Sequence, residues 1–220
     1  MADIAEIKEL AKTLNLMNVY NGIIDISDEK ISNLDYLYNI LKSEVDIRRK
    51  NKVDNILKQS RLPKKEFDDM TISQGLKWQL KEIEKIDFKN IKQNIVIVGD
   101  VATGKTSLAT YITRTAIQKG ARAIYFAEED FIEAYKTRKT MRSKILHSDL
   151  IVLDELFYLT PSDVNLVYLY KTIMFLAETR SFIFVTNRPL SEWEKMDVDK
   201  HIVTTFRQRI MTDAQLVHLG

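Results

Sequence analysis

The chain contains no cysteine among its 220 residues, which excludes disulfide bonds and metal sites built from thiolates. Glycine is scarce, with six residues in the whole sequence. No apolar run approaches the roughly eighteen residues that a membrane-spanning helix requires, and the start lacks the pattern of a signal peptide. No internal repeat or low-complexity segment is visible. From these absences we expect a soluble cytoplasmic protein that does not associate with membranes.

The remaining composition is that of an ordinary globular protein, with 45% hydrophobic and 29% charged residues. The length is enough for one large core and a small appendage. The net charge of +2 does not by itself indicate a nucleic-acid partner. The histidines, His147, His201 and His218, have no spacing typical of metal ligands, and we expect them to be structural or surface residues.

The most informative motif covers residues 99–106 and reads Gly-Asp-Val-Ala-Thr-Gly-Lys-Thr, which fits the phosphate-loop pattern G-x-x-x-x-G-K-[ST]. Glycines let the backbone N–H groups of such a loop face the phosphates, while Lys105 reaches the β- and γ-phosphates and the Thr106 hydroxyl ligates Mg²⁺. An apolar run at 94–98 precedes the motif and a helix-like stretch at 107–119 follows it, which argues against a chance match. The predicted ATP-binding residues are Gly99, Asp100, Val101, Ala102, Thr103, Gly104, Lys105, Thr106 and Ser107.

Periodicity predicts two different parts of the chain. About the first ninety residues read as helical, including a helix opened by a capping box at 32–35 and a later helix at 72–86. Strands and helices then alternate, which is typical of a parallel α/β sheet. The strand candidates are residues 95–98, 123–126, 150–153 and 182–185, and residues 164–176 form a covering helix. We expect a helical module at 1–62, a linker and leading helix at 63–93, and an α/β core at 94–220.

Two carboxylates follow the third strand candidate. Asp154 and Glu155 end the apolar run at 150–153, the form expected of a buried strand that delivers an acid pair to the carboxyl edge of the sheet. Asp154 would hold Mg²⁺, directly or through water, and Glu155 would polarise the attacking water. The alternative is a solvated acidic turn. The upstream phosphate loop disfavours that alternative, because the ends of these strands must meet at the same crevice.

Polar side chains further along the chain are candidates for completing the site. Asn187 follows the next strand candidate and could orient the water or contact the γ-phosphate, although an ordinary Asn-Arg-Pro turn is the alternative. Arg207 and Arg209 lie on a predicted helix. An arginine supplied by a neighbouring subunit can neutralise charge on the γ-phosphate, and Arg209 is the first candidate with Arg207 in reserve. Two solvated surface arginines are the open alternative.

Basic residues are concentrated in two segments. Residues 48–65 contain eight basic side chains and one acidic one, and residues 136–144 contain five basic side chains and no acidic one. Contacts to a phosphate backbone are one interpretation and a solvated charged face is the other. The first segment lacks aromatic residues, which argues against base stacking and therefore against sequence reading. The candidate DNA contacts are Arg48, Arg49, Lys52, Lys58, Lys136, Arg138, Lys139 and Arg142.

Taken together, these motifs make the chain resemble, almost end to end, the IstB/DnaC-like family of AAA+ ATPases, and the IstB transposition helpers within it most of all. Residues 99–106, the Leu-Asp-Glu-Leu of 153–156 and the Thr-Asn-Arg-Pro-Leu-Ser-Glu-Trp of 186–193 look like that family's phosphate-loop, Walker B and sensor motifs in the right order. The front end is also similar, notably at Arg48-Arg49 and at the Arg-Leu-Pro of 61–63. The sequence departs from the family at residues 100–102, where relatives usually have Pro-Pro-Gly, and at Leu176, where many have an arginine.

The resemblance implies that residues 94–220 are a P-loop AAA+ ATPase core with an abbreviated C-terminal region, and that the small all-helical module at 1–62 binds DNA or a partner. It also implies a homo-oligomer with ATP sites between subunits, which assembles on double-stranded DNA largely without sequence preference and recruits and stimulates a transposase. A replicative helicase loader is the alternative, since its front module would bind a helicase instead of DNA. A small-molecule phosphotransferase is a third possibility. The acid pair with Asn187 fits water activation better than phosphate transfer to a small molecule.

Overall fold

The structure of the chain, a computed structural model, describes residues 4–24, 33–67 and 73–219. It divides into two compact units, Met1–Asn55 and Ile56–Gly220. Ser32, the first residue of the predicted capping box, lies outside the described residues. The domain boundaries expected at residues 62 and 93 stay a prediction.

The first unit is helical, as predicted, and consists of α1 (Ile4–Thr13), α2 (Met17–Tyr20) and most of α3 (Asn33–Gln59). Its apolar cluster is small and is formed by Ala11, Val19 and Ile24, with partly buried neighbours packed around them. The carboxylate of Glu44 is buried beside this cluster. It accepts hydrogen bonds from the Arg48 guanidinium at 2.7 Å and from the Asn18 N–H at 3.2 Å, so both carboxylate oxygens have partners.

The second unit alternates helices and strands. Its helices are α4 (Gln74–Lys85), α5 (Lys105–Gln118), α6 (Glu128–Thr137), α7 (Lys139–Leu146), α8 (Asp163–Ala177) and α9 (Lys200–Met211), with a 3₁₀ helix at Leu190–Lys195. Its strands are β1 (Ile95–Gly99), β2 (Ala123–Ala127), β3 (Leu150–Asp154), β4 (Ser181–Thr186) and β5 (Gln215–Leu219). The four predicted strands are confirmed, each one to two residues longer than expected, and β5 was not predicted.

The five strands form one parallel sheet in the order β2-β3-β4-β1-β5. All residues of β3 and β4 are buried, as expected for central strands covered on both faces. The register places Ala127 opposite Asp154, Val98 opposite Thr186 and Gly99 opposite Leu219. The carboxyl ends of all five strands therefore meet at one edge, the edge where ligands bind in open α/β sheets.

The helices that cover the sheet start at identifiable caps. The Ser73 and Ser162 hydroxyls accept from the N–H groups of Leu76 and Asn165, and the Asp199 carboxylate accepts from two N–H groups of α9. These caps explain why α4 and α8 begin within two residues of the predicted positions.

An aromatic cluster packs the helices onto the sheet. Phe157, Trp193 and Phe206 are fully buried, with ring centroids 4.7 to 6.2 Å apart. Such ring contacts stabilise the fold beyond the free energy gained by burying the apolar area of the rings. Within the described residues, no helix is long and apolar enough to cross a membrane.

Candidate functional site

The predicted phosphate loop is a tight turn between β1 and α5. Gly104 immediately precedes the helix with φ of 90°, and Ala102 also has a positive φ, of 68°. The Thr103 hydroxyl donates to the Asp100 carbonyl at 2.9 Å, which braces the turn. No side chain of the described residues caps α5. The free N–H groups of its first turn are therefore available to an anion, and the helix dipole favours negative charge there.

Gly99 is required by packing as well as by the motif. A Cβ at this position would lie 2.0 Å from the Leu219 carbonyl oxygen and 3.0 Å from the Thr103 hydroxyl. No side chain can occupy that space without moving β5 away from β1. The first glycine of the loop therefore also permits the close approach of the fifth strand.

The Lys105 ammonium folds back onto its own loop, where it donates to the Asp100 carbonyl. Burial lowers the pKa of Lys105 below its ordinary value, and the negative charges of Asp154 and Asp100 partly oppose that effect. Asp154 and Lys105 therefore attract each other electrostatically. The phosphate loop follows β1 and the acid pair lies at the end of β3, so both lie at the carboxyl edge of the parallel sheet.

Asp154 and Glu155 have different environments. Asp154 is only 3% exposed, and its oxygens accept from the Tyr125 hydroxyl at 2.6 Å and from the Glu155 N–H at 2.7 Å. Glu155 is exposed and has a positive φ of 60°, a conformation that non-glycine residues adopt rarely. The Asp154 carboxylate is therefore held in place, whereas Glu155 is exposed and lines a cavity of about 810 Å³ together with Glu128 and Glu129 of α6.

Two residues at this edge were missed by the sequence reasoning, Tyr125 and Glu128. Burial raises the pKa of the Tyr125 hydroxyl, and the charge of Asp154 adds to that effect. Burial also raises the pKa of Glu128 to about 7, partly opposed by a hydrogen bond that its carboxylate accepts from the Phe157 N–H at 2.7 Å. An acidic residue two positions after the predicted strand at 123–126 was a usable signal for Glu128. The hydrogen bond from Tyr125 to Asp154 depends on the pairing of β2 with β3, which the sequence does not reveal.

Asn187 follows β4 and lines a cleft of about 450 Å³ together with Gly99 and Asp100. The turn that carries it is held by hydrogen bonds on either side. The Arg188 N–H donates to the Thr186 hydroxyl at 3.1 Å, and the Trp193 indole donates to the Arg188 carbonyl at 3.2 Å. The structure therefore brings Asn187 next to the phosphate loop, at a fixed position.

The two candidate arginines of α9 lie elsewhere. Arg207 forms an ion pair with Glu194 at 2.6 Å. Arg209 is exposed and lines a cavity of about 220 Å³ with Lys92 and Asn94, which precede β1. Arg209 is thus at the amino edge of the sheet, and the phosphate loop of the same chain is at the carboxyl edge.

The basic residues of α3 differ in how they are held. Arg48 is tied to Glu44, whereas Arg49, Lys52 and Lys58 are exposed. The last three are available to a partner at the surface of the helix.

The second basic segment, residues 136–144, covers the end of α6 and most of α7. Lys136 lies 4.3 Å from the ring centre of Tyr168, Arg142 lies 4.9 Å from that of Tyr135, and Arg138 pairs with Glu133 at 2.6 Å. Lys139 is exposed. Although the segment itself contains no acid, Glu133 one turn earlier neutralises part of its charge.

The residues present fit a magnesium ion bound together with a nucleotide. Among residues 4–24, 33–67 and 73–219 there is no group of three or more His, Asp or Glu side chains that could hold a metal by themselves. Mg²⁺ in nucleotide sites is usually held by one or two side chains, water and the phosphate oxygens. Asp154 and the partly buried Thr106, at the start of α5, supply a carboxylate and a hydroxyl of the required kind.

Comparison with known proteins decides the family. The model of the family described as IstB-like ATP binding protein matches residues 6–220. The chain belongs to this family. An insertion sequence IS21-like ATP-binding protein of Bacteroides fragilis is 24% identical, and the alignment covers 98% of this chain and 87% of that protein. The ATP-binding protein of insertion sequence IS232 from Bacillus thuringiensis subsp. berliner is 26% identical, and the alignment covers 96% of this chain and 89% of that protein.

Solved structures show the same fold at low sequence identity. The DnaC helicase loader has a TM-score of 0.53 at 21% identity, covering 68% of this chain and 92% of that chain. The DnaI structure has a TM-score of 0.54 at 15% identity, covering 71% and 88%. The fold is therefore that of the P-loop AAA+ proteins, and with the match to the IstB-like ATP binding family the chain is an ATPase, as the resemblance implies.

Proposed function

We propose that the protein is an ATP-dependent DNA-binding helper of DNA transposition, which assembles on duplex DNA, selects or remodels the target and recruits and stimulates a transposase. The observation that carries the proposal is the meeting of the phosphate loop, Asp154, Glu155 and Asn187 at one edge of the sheet. Binding residues alone would make a nucleotide-binding protein. An exposed carboxylate next to a buried one adds what water activation needs.

Each residue has a proposed role in hydrolysis. The N–H groups of residues 99–107 and the Lys105 ammonium bind the phosphates, and Asp154 with Thr106 holds Mg²⁺. The bound ion would neutralise charge on the phosphate oxygens. Glu155 accepts a proton from the attacking water, and Asn187 orients that water or contacts the γ-phosphate.

Arg209 is proposed to act on the ATP site of a neighbouring subunit. It lies at the edge of the sheet opposite to its own phosphate loop, so it is placed to serve another copy better than its own. Arg207 is the weaker candidate because Glu194 already pairs with it. This proposal requires a homo-oligomer in which the amino edge of one core faces the carboxyl edge of the next.

Duplex DNA is the proposed partner of the exposed basic side chains on α3 and α7. Arg49, Lys52, Lys58 and Lys139 present charge to solvent, and such side chains contact phosphates irrespective of base sequence. Binding would therefore be largely independent of sequence and strongly dependent on salt. Arg48, Lys136, Arg138 and Arg142 have partners within the chain and are secondary candidates.

Transposase recruitment is supported by relatives that are ATP-binding proteins of insertion sequences and match this chain over nearly its whole length. The replicative helicase loader remains the alternative. The test is to incubate the protein with ATP and duplex DNA, image the assembly, and ask whether it retains a purified IS21-type transposase or the replicative helicase of the host. Retention of the transposase by a filament or ring around duplex DNA is expected. Retention of the helicase alone would contradict the proposal.

A further inference from the structure

Tyr125 is in direct contact with two parts of the chain that no motif connects. Its hydroxyl donates to the Asp154 carboxylate at 2.6 Å, and its backbone N–H donates to the Ser60 carbonyl at 2.8 Å. Ser60 directly follows α3, the helix that carries the first basic segment. A single residue thus joins the proposed metal-binding carboxylate to the connector that follows α3.

The hydroxyl contact fixes the carboxylate of Asp154. In the register of β2 and β3, Tyr125 lies opposite Val152 and its side chain reaches along the sheet to Asp154. The second oxygen of Asp154 accepts from the Glu155 N–H. Each oxygen keeps a further lone pair for another partner. Two donors therefore hold the carboxylate in one orientation and leave it able to accept from a metal-bound water or to bind the metal itself.

The connector is itself fastened to the edge of the sheet. β2 is an edge strand, so its outward N–H groups need partners other than a strand, and the Ser60 carbonyl is one of them. Arg61, with φ of 61°, places its guanidinium 4.5 Å from the centre of the Phe126 ring and pairs with Asp130 at 2.9 Å. A displacement of the connector would therefore first move β2, the strand that carries Tyr125.

We propose that Tyr125 is a positioning residue for Asp154, and that the connector at residues 60–62 controls this position through Tyr125. The inference rests on the metal role proposed for Asp154. If movement of α3 on binding a partner loosens or tightens the connector, the metal affinity of the ATP site changes with it.

The test measures binding of a fluorescent ATP analogue as Mg²⁺ is increased, and again in EDTA. Tyr125→Phe removes one hydrogen bond to a carboxylate without changing the shape of the ring. We expect the Mg²⁺ concentration that gives half of the gain in affinity for the ATP analogue to rise about five-fold, which corresponds to the loss of one such hydrogen bond. The affinity for the analogue in EDTA should be unchanged. Tyr111→Phe is the matched control, because the Tyr111 hydroxyl donates to the Glu84 carboxylate at the same distance of 2.6 Å.

If Tyr125 has only a structural role, Tyr125→Phe will unfold at a lower temperature but will depend on Mg²⁺ in the same way as Tyr111→Phe. This result would overturn the proposal. Asp154→Asn distinguishes the metal role of Asp154 from the positioning role of Tyr125. If Asp154→Asn also leaves the Mg²⁺ dependence unchanged, the metal role of Asp154 fails. If Asp154→Asn alters it and Tyr125→Phe does not, only the role of Tyr125 fails.

The connector is tested by a double-mutant cycle. Arg61→Ala removes the contacts with Phe126 and Asp130 but leaves a Cβ at the same backbone conformation. We expect Arg61→Ala to shift the Mg²⁺ dependence about two-fold in the otherwise natural chain, and not at all when combined with Tyr125→Phe. An equal shift in both backgrounds, or no shift in either, would show that the connector does not act through Tyr125.

Discussion

Asp154 and Glu155 are neighbours in the sequence, but their surroundings differ in the way that hydrolysis requires. Asp154 is buried and accepts two hydrogen bonds from within the chain, whereas Glu155 is exposed at a positive φ. A metal-binding carboxylate benefits from a fixed orientation, and a general base must reach a water that arrives with the substrate. The division of labour proposed for the pair follows from this difference.

Replacing Glu155 with glutamine tests its role as general base. We expect the variant to bind an ATP analogue as tightly as the natural chain, while phosphate release in a single turnover slows by about 100-fold or more. Glu129→Gln is the matched control, because Glu129 is also exposed at this edge of the sheet. Hydrolysis by Glu155→Gln at the natural rate would refute the assignment.

The raised pKa of Glu128 makes a prediction about stability. Its pKa is about 7 in the folded chain against an ordinary value of 4.5, so from about pH 4.5 to 7 the folded carboxyl keeps a proton that the unfolded chain has released. The free energy of unfolding therefore falls as the pH rises through this window. Glutamine cannot ionise and can still accept from the Phe157 N–H.

We accordingly expect Glu128→Gln to be more stable than the natural chain by about 2 kcal/mol at about pH 8, with the difference disappearing toward pH 4.5. Urea denaturation across this range measures it. A difference that is the same at every pH would mean that the carboxyl does not titrate in the window.

Among the elements, the four strands predicted from the sequence are the ones whose apolar runs are continuous, since a strand covered on both faces needs apolar residues throughout. β5 was missed because it is an edge strand with polar Gln215 and His218. It also follows α9 after a gap of only three residues. Its pairing with β1 depends on a long-range contact that local periodicity does not contain.

The candidate ATP site likewise contains some residues that the motifs predict and others that depend on long-range contacts. The motifs predict the phosphate loop, the acid pair and Asn187, because each follows a strand whose carboxyl end must reach the common edge. Tyr125 and the Arg207–Glu194 ion pair depend on which elements become neighbours. Sequence periodicity does not carry that information.

Gly99→Ala tests the contact between β1 and β5. The added Cβ would lie 2.0 Å from the Leu219 carbonyl, so β5 or the loop must move, and we expect a loss of about 1–3 kcal/mol in the free energy of unfolding together with weaker ATP binding. Gly75→Ala is the control, because nothing lies within 4 Å of its Cβ position in α4. That change should be neutral or stabilising. Equal stability of both variants would argue against the close approach of β5.

At the scale of the whole molecule, the chain combines an ATPase core with exposed basic side chains on α3 and α7. The net charge of +2 conceals these groups, because acidic residues elsewhere balance them. Arg48 is held by Glu44, so Arg49 and Lys52 are the sharper choice for testing DNA contact. Salt dependence distinguishes phosphate contacts from general effects of charge on folding.

Reversing both Arg49 and Lys52 to glutamate is expected to weaken binding to duplex DNA about ten-fold or more and to reduce the slope of log affinity against log salt by about two. Fluorescence anisotropy with a labelled duplex measures both quantities. Lys89 and Lys171, both exposed in the second unit, provide a control with the same change of charge when reversed together. An unchanged salt slope would identify the α3 cluster as a solvated face.

We propose that ATP binding at the carboxyl edge of the sheet promotes assembly on DNA, and the decisive measurement is the affinity for duplex DNA with and without ATP. Glu155→Gln holds ATP without hydrolysing it, and Lys105→Ala should no longer bind ATP tightly. We expect the natural chain and Glu155→Gln to bind the duplex about ten-fold or more tightly with ATP than without it, and Lys105→Ala to show no such difference. The same affinity in all of these conditions would show that ATP binding does not promote assembly on DNA.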